Sequence, residues 1–250
     1  VFKLRRQLAR EKAEDKAKYD AAWQGLEQAD PASTTRRVLE CAARLATRYS
    51  TTPVQGNHLD DVDALMEEAA EVELAMHAAT RKLIVDAGGD FMQGPLKKEA
   101  RVREKMENDY ENDHRRVVDI VRDSGVFTTM AGYAAAIETL LQGDCGLEVV
   151  RAKDWLADGG NSYGYRDMLL NVKLPGKPHV GELQLHFKPI IDLKSAAHKT
   201  YGLLRAVGWE EDEFEEDEMA SARATLMKFP RLSIVAAPGD GSADGRDDGD

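Results

Sequence analysis

The chain reads as a mixed α/β (α+β) domain: a sheet of five strands or fewer, helices on at least one face, and a helical extension in front. Three observations carry that reading. Apolar residues recur at spacings of four and three between Leu65 and Leu83, the stripe of an amphipathic helix. After Arg116 the period shortens to that of strands, in the runs Val117–Val121, Leu147–Val150, Met168–Leu174 and Val180–Phe187. A helical pattern of Tyr133, Ile137 and Leu140, closed by Gly143, lies among those runs, so helices and strands alternate within one domain.

Taken in order, residues 1–29 mix Lys, Arg, Glu, Asp and Ala with no Pro, and no Gly before Gly25, which predicts a helix that Pro31 ends. Ser33-Thr34-Thr35 offers a cap for a second helix with Val38, Ala42, Leu45 and Tyr49 on its inner face. The run Thr-Thr-Pro-Val-Gln-Gly-Asn at 51–57 is a linker by composition, dividing a helical extension (1–55) from a domain (56–208). The third helix carries Leu65, Ala69, Val72, Met76, Ala79 and Leu83 inward. Asp60, Asp61 and Asp63 fall in its first turn, where the helix dipole favours negative charge, and Gly88-Gly89 ends it. Gly94-Pro95 then introduces a basic helix over 96–116. Val117–Val121 with Val126-Phe127 forms the first strand, and 168–174 with 180–187 a hairpin turning at Pro175-Gly-Lys-Pro178. Pro189 suits the first turn of a closing helix whose inner face is Ile190, Leu193, Ala197, Tyr201 and Leu204.

With 250 residues and 42% hydrophobic content, the chain can bury one sizeable core. Its net charge of −11 is concentrated: residues 209–250 hold 13 acidic against 4 basic residues and form an acidic tail, disordered by composition from Pro238 onward. The body is nearly neutral, so general binding to nucleic-acid backbone is not expected, although a local basic pocket is compatible with the charge. Cys41 and Cys145 have neither metal nor redox spacing, pointing to a reducing compartment such as the cytoplasm, and His58, His77, His114 and His179 show no zinc pattern. No run of eighteen apolar residues exists to span a membrane, and Phe2–Arg6 lacks the apolar core of a secretion signal. Because the chain opens on Val1, an upstream targeting peptide or domain is left open, as is an oligomeric state. There is no Gly-x-x-x-x-Gly-Lys phosphate loop and no strand-to-helix Gly-x-Gly-x-x-Gly.

Four groups of residues carry possible chemistry. Burying an unpaired carboxylate is costly, so Asp119 in an apolar strand is either functional or paired with Arg115 or Arg122. Glu182 interrupts a strand whose alternate residues are apolar. Tyr165 offers an aromatic platform or ordinary cross-strand packing, and Lys97 and Lys105, with Arg101 and Arg103 between them, form a phosphate-binding or a solvated face. Two carboxylates, an aromatic and positive charge suit a magnesium-dependent nucleotide transferase, because a nucleotide brings its own phosphates and asks mainly for metal ligands, stacking and cations.

The order of these pieces resembles the synthetase domain of the RelA/SpoT family, over residues of about 60 to 207. Asp119, Gly164-Tyr165-Arg166, Glu182-Leu183-Gln184, and His198 with Tyr201 carry the match. The resemblance implies a nucleotidyltransferase-like mixed sheet that transfers pyrophosphate from ATP to the ribose 3′ hydroxyl of GDP or GTP, with magnesium as cofactor. By the same resemblance Asp119 is the first metal ligand, and Glu182 the second ligand or the base for the attacking hydroxyl. Tyr165 would stack on the acceptor guanine, Lys97 and Lys105 would meet the ATP phosphates, and Arg122 and Gln184 would contact substrate. His198 and Tyr201 read as structural. The chain departs from the pattern at Pro95 and Ser124, where arginines are expected, at Asp167 and Leu169 in place of serine and histidine, and at His186 in place of arginine. Arg122 or Lys188 is the candidate replacement for the missing charge. The His-Asp metal motif of the family's hydrolase domain is missing, so synthesis rather than degradation of the alarmone is implied. Two other readings stand beside this one: transfer to another 3′ hydroxyl such as that of tRNA, and a catalytically degenerate nucleotide-binding sensor or scaffold.

Overall fold

The computed structural model describes residues 2–56, 61–157, 160 and 164–194, and all of them belong to the compact unit that spans residues 1–202. The closing-helix residues Ala197, His198, Tyr201 and Leu204, and the acidic tail from 209, lie outside the described residues.

Helices α1 (Phe2–Ala29) and α2 (Ala32–Arg48) meet at Pro31, as the sequence predicts. The expected Ser33–Thr35 cap is not used: Pro31 itself sits at the cap position with no side-chain hydrogen bond, and the three hydroxyl residues lie inside the first turns. Both helices join the common core, burying Tyr19, Trp23 and Leu26 from α1 and Val38, Ala42 and Leu45 from α2. Helix α3 (Val62–Asp86) is capped by Asp61, whose carboxylate accepts from the Ala64 amide at 2.9 Å. Its buried face keeps the expected Leu65, Ala69, Val72, Met76 and Leu83, leaves Ala79 only partly buried, and adds Val62, His77, Thr80 and Ile84.

Strand β1 (Asp90–Gln93) was not expected, because four residues with one apolar inward position give almost no alternation to read. The basic helix is shorter than 96–116. Helix α4 runs Glu99–Asp109, Glu111 and Asn112 then take left-handed backbone angles (φ 53° and 65°) that end it, and His114–Arg116 form a single 3₁₀ turn. Strand β2 (Arg122–Phe127) also starts later than predicted. Residues 117–121 are held by the Lys97 amide on the Ile120 carbonyl (3.0 Å), by the Gln55 side-chain amide on the Val117 carbonyl (3.1 Å) and by the Glu182 amide on the Val121 carbonyl (2.9 Å). Asp119 therefore lies in the approach to β2 rather than within a strand.

Helix α5 (Met130–Gln142) begins at Thr129, whose hydroxyl accepts from the Gly132 amide, and ends at Gly143 with φ 83°, where glycine's lack of a β-carbon removes the steric cost. Strand β3 (Glu148–Asp154) extends four residues beyond the predicted run, and β4 (Asp167–Lys173) and β5 (Gly181–Phe187) form the predicted hairpin. Residues 188–194 are helical, with Pro189 in the first turn and Ile190 fully buried.

The sheet order is β1-β2-β5-β4-β3, with β2 and β5 parallel and every other neighbouring pair antiparallel. Side chains alternate across a pleated sheet, so its two faces differ. One face carries Gly125, Phe127, Met168, Leu170, Val172, Leu183, Leu185 and Phe187 against the helices; Tyr133 stacks on Phe187 at 4.2 Å and donates its hydroxyl to the Leu185 carbonyl. Asp123 is the polar exception on this face, lying 2.8 Å from the buried His77 ring and accepting from the Thr80 hydroxyl. Gly125 lets α3 approach: a β-carbon there would stand 2.3 Å from the Ile84 side chain. Gly125→Ala is expected to lower unfolding stability by roughly 1–3 kcal/mol through overpacking, read as a lower urea midpoint with unchanged helical content.

Candidate active site

The other face of the sheet is polar. Paired residues on neighbouring strands point the same way, so the register fixes what each row presents. One row runs Arg151, Asn171, Glu182, Arg122; the next Lys153, Leu169, Gln184, Ser124; a third brings Asp167, His186 and Val126 together. The residues expected on separate strands thus fall on one surface, which is what the period of two requires when Glu182, Gln184 and His186 alternate with Leu183 and Leu185.

Asp119 stands at the first row's end of this face. It is 9% exposed, and its Oδ2 accepts from Lys97 and, at 2.8 Å, from Lys105, while Oδ1 is buried with no hydrogen-bond partner. Arg115, one expected partner, binds Asp113 instead, and neither arginine pairs with Asp119. Burial pushes the Asp119 carboxyl up, but the two ammonium groups outweigh it and hold it below the usual carboxylate range. Glu182 shifts the opposite way. Burial raises it, the negative charge of Asp119 adds to the rise, and the lysines and the Gln184 amide, 2.8 Å from its Oε1, offset only part. The two carboxylates feel each other and the same two lysines, but they hydrogen-bond to different groups.

Lys97 precedes α4 rather than lying in it, so the basic helix supplies only Lys105 to this cluster. Arg101 and Arg103 face solvent, paired with Glu104 and with Glu99 and Asp63. Sequence reasoning missed two cations, Arg151 and Lys153. The signal was available: one residue between two basic residues in a strand places both on the same face. Burial lowers Lys153, the nearby Arg151 and Lys105 charges lower it further, and Glu182 opposes them. Lys97 is likewise lowered, by burial first and by Lys105 and Arg122 besides, against the pull of Asp119. Among the described residues Arg122, Arg151 and Lys153 have no carboxylate partner, and the Arg122 Nε is buried without a hydrogen bond. Cations that press on one another beside a carboxylate pair leave positive potential to be met by an anion.

Among the described residues no three His, Cys, Asp or Glu side chains gather as a metal cluster. A hard cation that keeps waters and takes substrate phosphates needs only one or two protein carboxylates, and the partnerless Asp119 Oδ1 with Glu182 fits that requirement.

Tyr165 belongs to the segment leading into β4. Gly164 takes φ 80°, and a β-carbon on it would crowd the α1 backbone at Lys16. Arg166 is a strut between this segment and α1, bonding Asp20 at 2.8 Å with its guanidinium over Trp23. The Tyr165 ring meets Tyr19 edge-on at 5.5 Å, and its hydroxyl lies 2.8 Å from His186 Nδ1. Asp167 and His186, two of the departures from the family pattern, are cross-strand partners, with Oδ2 3.6 Å from Nδ1. Burial pushes Asp167 up to about 7 and, with Lys194 adding to it, pushes His186 down to about 3; burial also raises the Tyr165 phenol. A neutral imidazole with Nδ1 unprotonated accepts a hydrogen bond from the phenol O–H. Lys188, an expected substitute for missing charge, is tied to Asp192 at 2.6 Å in its own helix. His198 and Tyr201 lie outside the described residues.

Asp167 and His186 make opposing contributions to acid stability. Asp167 has a folded value above its unfolded one, so it favours folding at low pH and that contribution is lost from about pH 4 to 7. His186 has a folded value below its unfolded one, so its contribution is present above about pH 6.5 and lost toward pH 3. Asp167→Asn should therefore gain thermal stability relative to the parent as pH rises through 4–7, and His186→Gln should gain as pH falls through 6.5–3. Unfolding temperatures across that range, compared at each pH, check both signs.

No helix among the described residues is long and apolar enough to cross a membrane. Neither a family model nor a curated protein sequence matches the chain. Solved structures do. The chain is similar to the complex between the Type VI effector Tas1 and its immunity protein, at 17% identity over 68% of this chain and 94% of that one, with a TM-score of 0.43. It is also similar to a GTP pyrophosphokinase family protein from Streptococcus pneumoniae, at 14% identity over 68% of this chain and 88% of that one (TM-score 0.40). A third similar structure is the small alarmone synthetase 1 from Bacillus subtilis bound to its product pppGpp, at 16% identity over 67% and 88% (TM-score 0.37).

Proposed function

We propose that this chain transfers pyrophosphate from ATP to the 3′ hydroxyl of a guanosine nucleotide, with magnesium as cofactor. The observation that carries the reading is the carboxylate pair Asp119 and Glu182 set among Lys97, Lys105, Arg122, Arg151 and Lys153 on one face of the sheet. The order of motifs along the sequence supplies the choice of guanosine acceptor and ATP donor.

In the reaction the acceptor 3′ oxygen forms a bond to the β-phosphorus of ATP as the bond from that phosphorus to the α,β-bridging oxygen breaks, and AMP leaves. Negative charge builds on the transferring group and on the leaving oxygen. The unpaired arginines and Lys153 meet that charge directly, a role that needs position more than covalent chemistry. Glu182 takes the proton from the 3′ hydroxyl. Its buried setting and the neighbouring Asp119 charge raise its proton affinity, which makes it the better base of the two. Asp119, held ionised by Lys97 and Lys105, would hold magnesium through Oδ1, with Glu182 as the other candidate ligand. Bound there, magnesium would neutralise phosphate oxygens. Tyr165 takes the acceptor base on its ring, with Gln184 orienting Glu182.

Incubation of the purified chain with γ-labelled ATP, magnesium and GDP or GTP should move label into a product more phosphorylated than the acceptor. Glu182→Gln should cut that transfer by about 10²–10⁴-fold with nucleotide binding retained, as expected for loss of a general base. Asp119→Asn should abolish it and leave circular dichroism unchanged. Nucleotide binding without any product would favour the sensor reading, and equal turnover in Glu182→Gln would remove this mechanism.

A further inference from the structure

Lys194 lies in the closing helical segment, partly buried, with its ammonium 4.9 Å from the centre of the Tyr165 ring. Among the described residues it forms no ion pair, although its charge reaches both Asp167 and His186. An ammonium on an aromatic face is only weakly held, by roughly 0.5–1 kcal/mol where solvent reaches it. It is a cation parked where a base is expected to stack.

The cations of the polar face fall into two groups. Arg122 and Arg151 share the row of Glu182, and Lys153 is one row further along. Lys194, outside the sheet, lies over Tyr165, whose hydroxyl meets His186, and His186 is four residues along β5 from Glu182, or about 13 Å at the rise of a strand. A reaction that joins two nucleotides brings two sets of phosphates. The donor's triphosphate needs the dense cluster beside the carboxylates. The acceptor's own phosphate lies across its ribose from the reacting 3′ hydroxyl, and so at a distance from that cluster.

We infer that Lys194 recognises the 5′-phosphate of the acceptor nucleotide, leaving the Tyr165 ring as the base stacks and carrying its charge to the phosphate on its flexible four-carbon stem. The assignment rests on the proposed function and adds a residue that the motif order does not supply. His186 cannot do this work, since it is buried, faces the Tyr165 hydroxyl and stays neutral. Lys188 cannot either, being exposed and paired with Asp192. Selectivity for a phosphorylated acceptor over a bare nucleoside then resides in one side chain.

Titration calorimetry of the 250-residue chain with GDP, GMP and guanosine, in magnesium, tests this. In Lys194→Gln the Kd for GDP should rise about tenfold, the loss of one charged hydrogen bond, with GMP affected in the same direction. Guanosine should bind as to the parent or slightly more tightly, because no lysine has to be displaced. Lys194→Arg should keep GDP affinity, and both variants should melt with the parent. Equal weakening of GDP and guanosine, or no change in either, overturns the role of Lys194. The parallel variant Tyr165→Ala separates the two levels. If it weakens all three probes while Lys194→Gln does not discriminate among them, only the lysine's role falls. If it leaves guanosine binding intact, or if the parent binds none of the probes, the acceptor site and the function it serves fall together.

Discussion

The alternation of side chains along β2, β5 and β4 is the constraint on which everything else rests. A pleated strand sends successive residues to opposite faces, and the helices α3 and α5 cover only one of those faces. Leu183, Leu185 and Phe187 are therefore committed to the core, and Glu182, Gln184 and His186 have nowhere to go but the polar face. The register then joins residues remote in sequence: Arg122 beside Glu182, Asn171 beyond it, Arg151 beyond that. A shift by one residue would put a carboxylate into the core and a leucine among the lysines, so packing of the apolar face fixes the chemistry of the other.

Within that frame, two carboxylates of similar burial behave differently because cations touch one of them. Lys97 and Lys105 both bond Asp119 and hold it ionised, whereas Glu182 receives only the Gln184 amide and the more distant fields of the same lysines. Separating two acidic groups in this way leaves one the more firmly ionised and the other the readier to take a proton. The separation depends on the loop before α4. Its Lys97 amide bonds the Ile120 carbonyl, so the backbone that carries the lysine is fixed to the backbone that carries Asp119.

Much of this was legible in the sequence where periodicity was strong. The α3 stripe, the α5 stop at Gly143 and the β4–β5 hairpin follow from apolar spacing and turn residues, and Asp119 and Glu182 stand out because a carboxylate interrupts an apolar run, whereas Lys105 is marked only by the order of motifs. Legibility failed where structure is set by partners distant in the chain. Residues 117–121 look like a strand and are instead held by Gln55 and by the loop before α4. Strand β1 is too short to show a period, and the end of α4 is set by two left-handed residues, neither of them glycine. Arg151 and Lys153 are not marked as strand residues because the apolar run ends at Val150, whereas β3 continues to Asp154. The fold of α1 across the Gly164–Arg166 segment could not be seen at all, since the Asp20–Arg166 contact spans the length of the domain.

The departures from the pattern that the sequence resembles acquire a physical sense when their register is considered. Asp167 and His186 are directly opposed on β4 and β5, so two of those departures fall at one local site. An arginine at position 186 would place a permanent cation beside the Tyr165 hydroxyl. The neutral histidine there serves as a hydrogen-bond partner, and Asp167, taking up a proton near neutrality, avoids leaving a stranded buried charge. The cation beside this site is Lys194 of the closing segment, over the Tyr165 ring. A cation on a flexible stem can follow a ligand that a cation built into a strand would have to meet in place, so such an arrangement bears on when charge meets a ligand as well as on where it sits.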